Sequence, residues 1–223
     1  MTERAKPSSD VMEMNRGIVR GIWCAGAALL AGGACSPAGP RPVASYDRTT
    51  RQLVRLATDL NGDGRVDQWT YMAGPRPLRA EVDADGDGRI ERWEYFGDSG
   101  VLQVIGTSSA GDGVEDMWSW AADEGGERRV DVSRGRDRVV DRREFYRGET
   151  LVRAEEDGNL DGLADKWEIF EDGRLAEVRL DTTRRTGRPD RRLRYDAAGE
   201  FAGLEMDADG TGRFVPVDRG ARP

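Results

Sequence analysis

The sequence predicts an all-β fold, an elongated antiparallel β-meander or solenoid of about seven hairpin repeats, each 24–25 residues long. Three observations support this fold class. A polar loop rich in aspartate and glycine recurs at a nearly fixed interval, which is typical of repeat architectures. Between these loops, apolar and polar residues alternate with a period of two. After residue 35, no stretch has the periodicity of an amphipathic helix.

Residues 1–35 are predicted to be a targeting segment rather than part of the fold. A short basic region with Arg16 and Arg20 precedes an apolar run of small residues that ends at Cys35. This run is too short to span a bilayer as a permanent helix. It resembles a bacterial lipoprotein signal, in which the cysteine becomes the lipidated first residue. An ordinary secretory signal cut near the same place is the alternative, and Met14 is an alternative start.

The composition of the rest of the chain favours an exported protein. Both cysteines, Cys24 and Cys35, lie in the targeting segment, so the remainder has no disulfide and no thiol chemistry. Residues 36–45 are predicted to be a flexible tether, and residues 46–218 the repeat domain. The formal net charge of −8 argues against nucleic acid as a partner and suits a surface that carries cations.

Seven copies of the repeat appear when the loops are aligned on their first ligand position. These positions lie 24, 25, 25, 24, 25 and 25 residues apart. Each copy is predicted to contain a loop, a strand, a glycine-bearing turn and a second strand, which gives about fourteen strands. The outermost strands are predicted at residues 51–57 and 213–217. The first positions of loops one to seven are Asp59, Asp83, Ser108, Ser133, Asp157, Thr182 and Asp207.

Loops two and five match the spacing of a twelve-residue calcium loop at every position. Side-chain oxygens occupy positions 1, 3, 5, 9 and 12, and glycine occupies position 6, where the chain turns sharply. Position 7 contributes its backbone carbonyl. Because calcium takes several oxygen ligands, these groups would all point at one ion. The predicted ligands are Asp83, Asp85, Asp87, Arg89, Glu91 and Glu94 in loop two, and Asp157, Asn159, Asp161, Leu163, Asp165 and Glu168 in loop five.

The other loops keep this ligand set only in part. Loops one and seven are predicted to bind calcium more weakly, loop four lacks carboxylates at positions 1 and 3, and loop three keeps only Asp112 and Asp116. Loop six has arginines at ligand positions and is predicted to bind no ion. The ligands predicted in loops one and seven are Asp59, Asn61, Asp63, Asp67, Asp207, Asp209 and Asp218. The alternative for all seven loops is that they are ordinary polar turns.

These loops resemble EF-hand and dockerin-type calcium loops. Strands flank them here where those families have helices, so the resemblance extends to the ligand positions and not to the fold. The hairpin at residues 165–175 resembles MORN-like repeats, and residues 195–201 resemble the core of a YD repeat. The chain as a whole resembles a bacterial lipoprotein that carries calcium loops on β-hairpin repeats.

The predicted function is therefore that of a calcium-binding, lipid-anchored protein outside the cytoplasm, with a structural or binding role and no enzymatic activity. We expect it at the outer membrane or cell surface of a bacterium, with a secreted or periplasmic protein as the alternative. Its expected partners are the membrane, through the lipid on Cys35, and a surface protein or polysaccharide.

Two other classes of function are alternatives to the calcium-binding protein. The chain has no histidine, so an enzyme would have to rely on paired carboxylates, as glycosidases do. A calcium-independent array would instead bind protein or carbohydrate. The carbohydrate version needs an exposed row of tryptophan rings, and packing between strands is the simpler role for these rings. The row would contain Trp69, Trp93, Trp118 and Trp167.

Overall fold

The computed structural model describes residues 41–183 and 186–217. The predicted targeting segment with Cys35 and the predicted ligand Asp218 lie outside these residues. Within them, all regular secondary structure is β, and no helix is long and apolar enough to cross a membrane. The strands are β1 (Val43–Tyr46), β2 (Leu53–Thr58), β3 (Gln68–Ala73), β4 (Arg76–Val82), β5 (Arg92–Phe96), β6 (Leu102–Thr107), β7 (Met117–Trp120), β8 (Glu127–Val132), β9 (Arg142–Arg147), β10 (Thr150–Glu156), β11 (Lys166–Glu171), β12 (Arg174–Leu180), β13 (Arg191–Tyr195), β14 (Phe201–Met206) and β15 (Val215–Pro216).

The fifteen strands form one open sheet in which each strand pairs with its neighbours in sequence, from β1 to β15. Every pairing is antiparallel, as the short connections require. The predicted all-β meander of hairpin repeats is therefore confirmed. The calcium-type loops join β2 to β3, β4 to β5 and so on, and the tight turns lie at the opposite edge.

The predicted first edge strand was wrong. Residues 51–57 were expected to be outermost, but β2 is covered by β1, with Val43 opposite Ala57 and Ser45 opposite Arg55. This extra strand begins at Val43, inside the segment predicted as a tether. The cause is local, because valine and tyrosine favour extended structure and the prolines that suggested a tether end at Pro42.

Glycine shapes the tight turns. Gly74 and Gly173 have φ angles of 61° and 75°, which side chains with a Cβ rarely adopt. Next to each turn the pairing shifts by one residue, between Tyr71 and Met72 in the first hairpin and between Ile169 and Phe170 in the fifth. Such a bulge increases the local twist of the hairpin and fixes its register.

One face of the sheet buries small residues beneath longer neighbours. Ala80 and Ala154 are 0% and 1% exposed, although the sheet is a single layer in the described residues. Ala154 lies between Glu144 and Glu168 on the adjacent strands. The aliphatic stems of long charged side chains can cover apolar surface while their charged ends stay in water. The core is therefore thin and formed by neighbouring strands.

The other face carries the tryptophan row. Trp69 and Trp93 lie opposite Glu81 on the strand between them, and Trp93 and Trp118 lie opposite Gly106. Trp93 is only 7% exposed. Such burial fits packing between strands better than an open stacking platform for carbohydrate.

Candidate metal centre

The same two backbone hydrogen bonds frame the loops at the calcium-type edge. The N–H of position 9 donates to the carbonyl before position 1, as Glu91 does to Val82 at 3.0 Å. The N–H of position 1 in the next loop then donates to the carbonyl of position 9, as Ser108 does to Glu91 at 2.9 Å. This frame identifies equivalent positions directly from the structure.

In loop six the frame moves position 1 from Thr182 to Asp181. The N–H of Asp181 donates to the carbonyl of Asp165, and that of Asp190 to the carbonyl of Leu180, both at 2.8 Å. The prediction of Thr182 was wrong because this loop has one more residue between positions 1 and 9 than its neighbours. The carboxylate of Asp181 accepts backbone N–H bonds from Gly187 at 2.9 Å and from two adjacent residues.

The backbone of each of these loops coils around the carboxylate at position 1. In loop two, Oδ1 of Asp83 accepts the N–H of Gly86 at 2.8 Å, and Oδ2 accepts the N–H of Gly88 at 2.9 Å. Both glycines have positive φ, 77° and 90°, which turns these N–H groups inward. Equivalent bonds form in loops one and seven, around Asp59 and Asp207. The coil that calcium loops need is thus built from sequence-local contacts.

Loop two brings four carboxylates together. Asp83, Asp85, Asp87 and Glu91 each offer one oxygen, and these four atoms all lie within 4.8 Å of one another. This group could hold a metal ion. Across residues 41–183 and 186–217, it is the one group of three or more carboxylates that meets this condition. Asp83 is buried, and Asp85 and Asp87 open to solvent.

Glu91 distinguishes this group from a chance cluster of acids. Its Oε2 accepts the N–H of Ala84 at 2.6 Å, but its Oε1 is buried and has no hydrogen-bond partner. Burial, with the negative charges of Asp85, Asp83 and Asp87, raises the pKa of Glu91. A buried carboxylate oxygen without a donor destabilises the site, and a cation at the centre of the group would remove that cost.

The side chain at position 9 explains why loops one and five differ from loop two. In loop five, Oδ2 of Asp165 accepts the N–H groups of Gly158 at 2.7 Å and Asn159 at 3.2 Å. Asp67 makes the same pair of bonds in loop one. Aspartate is one methylene shorter than Glu91, so its carboxylate stays against the backbone. Both loops also have asparagine at position 3, which removes a carboxylate.

The glutamates predicted at position 12 are not brought into either loop. Glu94 and Glu168 lie on strands β5 and β11, where an extended chain carries position 12 about 10 Å beyond position 9. Glu94 pairs with Arg92 at 3.1 Å. Glu168 pairs with Lys166 at 2.6 Å and Arg142 at 2.9 Å, and these cations outweigh burial and lower its pKa.

The remaining predicted ligands take part in local turns. Their carboxylates or amides accept backbone N–H bonds two to five residues ahead, which stabilises the loop but leaves the acids dispersed. Arg89 and Leu163 at position 7 donate their N–H groups to the carboxylates at position 5, both within 2.9 Å. The acceptors outside loop two are Asn61, Asp63, Asp157, Asn159, Asp161 and Asp209.

Two signals in the sequence could have located the site more closely. Glu91 is the one glutamate among the position-9 acids, and a basic residue stands two before each position-12 glutamate, as Arg92 does before Glu94. On a strand, residues two apart share a face and can pair.

Set against known proteins, this chain matches no protein-family model and no curated protein.

Proposed function

We propose that this protein is a calcium-binding repeat protein that acts outside the cytoplasm, with loop two as its principal ion site. The observation that carries the proposal is the buried Oε1 of Glu91, which lacks a hydrogen-bond partner beside three aspartates. A divalent cation there would neutralise adjacent negative charges and supply the missing partner. The expected effect is tighter packing of the loop onto β4 and β5.

The ligand chemistry favours calcium over other metals. All four side chains of the group offer carboxylate oxygen, which suits calcium, magnesium and manganese rather than metals that prefer nitrogen or sulfur. The loop is a single coil of consecutive residues, and calcium tolerates the irregular geometry and high coordination number of such a coil. Magnesium demands near-ideal octahedral geometry and usually keeps several waters.

The wider role that we propose is structural or binding rather than catalytic. Export and attachment to a membrane through Cys35 are supported by the sequence of residues 1–35, and the partner would be a surface protein or a polysaccharide. Cell fractionation tests the anchor. A Cys35→Ala variant should leave the membrane fraction, and a variant that is still processed and still membrane-bound would contradict it.

Calorimetric titration of the purified protein with calcium tests the site. We expect Glu91→Gln to abolish the tightest binding event. Glutamine removes the negative charge of the carboxylate, and the oxygen that lacks a hydrogen-bond partner is then no longer anionic. Glu94→Gln is the matched control, since Glu94 is paired with Arg92 on the strand, and it should keep the stoichiometry of the parent. Loss of binding in Glu94→Gln alone, or no binding by the parent, would overturn the proposal.

A further inference from the structure

Loop three contains a cation that comes from loop four. The side chain of Arg136 reaches across from position 4 of loop four and donates through Nε to Oδ2 of Asp116 at 2.8 Å. Its other end, Nη2, donates to Oδ1 of Asp112. These two acids occupy positions 5 and 9 of loop three, the positions at which Asp87 and Glu91 stand in loop two.

Further hydrogen bonds hold in place the two carboxylates that contact the guanidinium of Arg136. Asp116 is only 2% exposed, and it also accepts the N–H of Ser109 at 2.9 Å and its hydroxyl at 2.6 Å. Asp112 accepts the hydroxyl of Ser108 at 3.1 Å. The hydrogen bond from Arg136 is the main reason that the pKa of Asp112 falls to about 2. A buried carboxylate such as Asp116 is costly unless a cation or several donors accompany it.

Arg136 makes these contacts although its backbone conformation is unfavourable. Its φ is 57°, in the left-handed region that side chains with a Cβ rarely adopt. Glycine occupies the same position in loops one, two and three, as Gly62, Gly86 and Gly111. The loop imposes this φ at position 4, since the exposed Leu160 adopts the same 57° in loop five, and at Arg136 the contacts of the guanidinium help to offset the cost.

We propose that Arg136 serves as a built-in cation for loop three, taking the role that a metal ion would have in loop two. This inference goes beyond the proposed calcium site, because it concerns loops that close without any ion. Loop four has a similar ion pair between two of its own residues, in which Nε of Arg134 donates to Oδ1 of Asp141 at 2.8 Å. Both loops begin with serine instead of aspartate, so an arginine accompanies each loop that has lost its first carboxylate.

The decisive comparison is between Arg136→Gly and Leu160→Gly. Leu160 occupies position 4 of loop five with the same φ of 57°, is exposed, and carries no charge. Glycine relieves the backbone strain at both positions. If Arg136 is the cation of loop three, Arg136→Gly should lower the thermal midpoint by roughly 3 °C or more, whereas Leu160→Gly should leave it unchanged or raise it.

The measurement is made on the full chain in chelator, so that calcium at loop two cannot affect the result. Arg136→Lys, which keeps the charge, should recover part of the loss, and added salt should shrink the difference between the parent and Arg136→Gly. A midpoint for Arg136→Gly equal to or above that of the parent would overturn the proposal. So would an identical loss in Arg136→Lys and Arg136→Gly.

Discussion

Glu115 is a buried carboxylate at a loop position that is apolar in most copies. It is 5% exposed and accepts the hydroxyl hydrogen of Tyr95 at 2.8 Å. In the preceding repeat, Tyr71 donates instead to Glu81 on the neighbouring strand, also at 2.8 Å. The strand position equivalent to Glu81 is Gly106 in the next repeat, so the acceptor has moved from the strand to the loop. Burial and this contact raise the pKa of Tyr95 to about 12.

Replacing Gly106 with alanine tests this exchange. A Cβ at Gly106 would lie 1.9 Å from Oε1 of Glu115, so the carboxylate would have to leave its buried place and lose Tyr95. We expect Gly106→Ala to cost about 1–3 kcal/mol of unfolding free energy. Gly203→Ala is the control, because Gly203 also lies in a strand and a Cβ there meets no atom within 4 Å. Denaturant unfolding of both variants measures the difference, and equal stabilities would contradict the steric argument.

At the scale of the strand, charged residues two apart cover both faces of the sheet with ion pairs. Arg142 is the centre of the largest set, with Glu144 at 2.8 Å, Glu168 at 2.9 Å and Glu156 at 3.5 Å. On the opposite face, Arg79 pairs with Glu81 at 2.7 Å. In a single-layer sheet, these pairs and their aliphatic stems take the place of a second layer.

The hairpin repeat was predictable from the sequence because its signals are local: period-two alternation, turn glycines and Asp-Gly loops. The cluster of acidic residues in loop two was predictable from their spacing, but only up to position 9. Beyond it, the side chain at position 12 depends on whether a helix or a strand follows, and in the strand Glu94 faces Arg92. The shift of position 1 to Asp181 in loop six could not be predicted either. A nearly fixed period places position 1 at Thr182 and therefore assigns Asp181 to the preceding strand. The cation of loop three comes from a residue 20 positions beyond Asp116, which no local pattern indicates.

The Arg142 set predicts a large effect for one arginine whose side chain is only 16% exposed. Arg142→Met keeps the stem but leaves Glu144 without its cation, while Lys166 still pairs with Glu168 and Arg134 with Glu156. We expect it to cost about 1–3 kcal/mol, below the range for a fully buried pair, because water and the remaining cations screen part of the lost attraction. Arg76→Met is the control, since its partner Asp98 is fully exposed, and it should cost less than about 0.5 kcal/mol. Chemical denaturation at neutral pH compares the two variants. A smaller cost for Arg142→Met than for Arg76→Met would contradict the expected contribution of the Arg142 ion pairs to the free energy of unfolding.

At the scale of the whole sheet, the backbone of each described strand lies close only to its neighbours in sequence, and side chains such as Arg142 reach one strand further. Stability in such an array is close to a sum of repeat and interface contributions, so a local perturbation stays local. The proposed ion site lies between β4 and β5, whereas the arginine-closed loops three and four lie between β6 and β7 and between β8 and β9. The two proposals together therefore predict an array in which one segment depends on an ion and another does not.

This arrangement predicts that removing calcium loosens one part of the sheet. Amide hydrogen exchange, measured in millimolar calcium and again in chelator, should lose protection mainly in β4, β5 and loop two, with smaller changes in β3 and β6. Protection in β8 and β9 should stay the same, because Arg136 closes loop three and Arg134 closes loop four without an ion. The Glu91→Gln variant provides the control: in calcium it should already resemble the parent in chelator. Equal loss of protection along all fifteen strands would mean that the array unfolds as one unit, and protection that is unchanged in loop two would mean that the ion does not bind there.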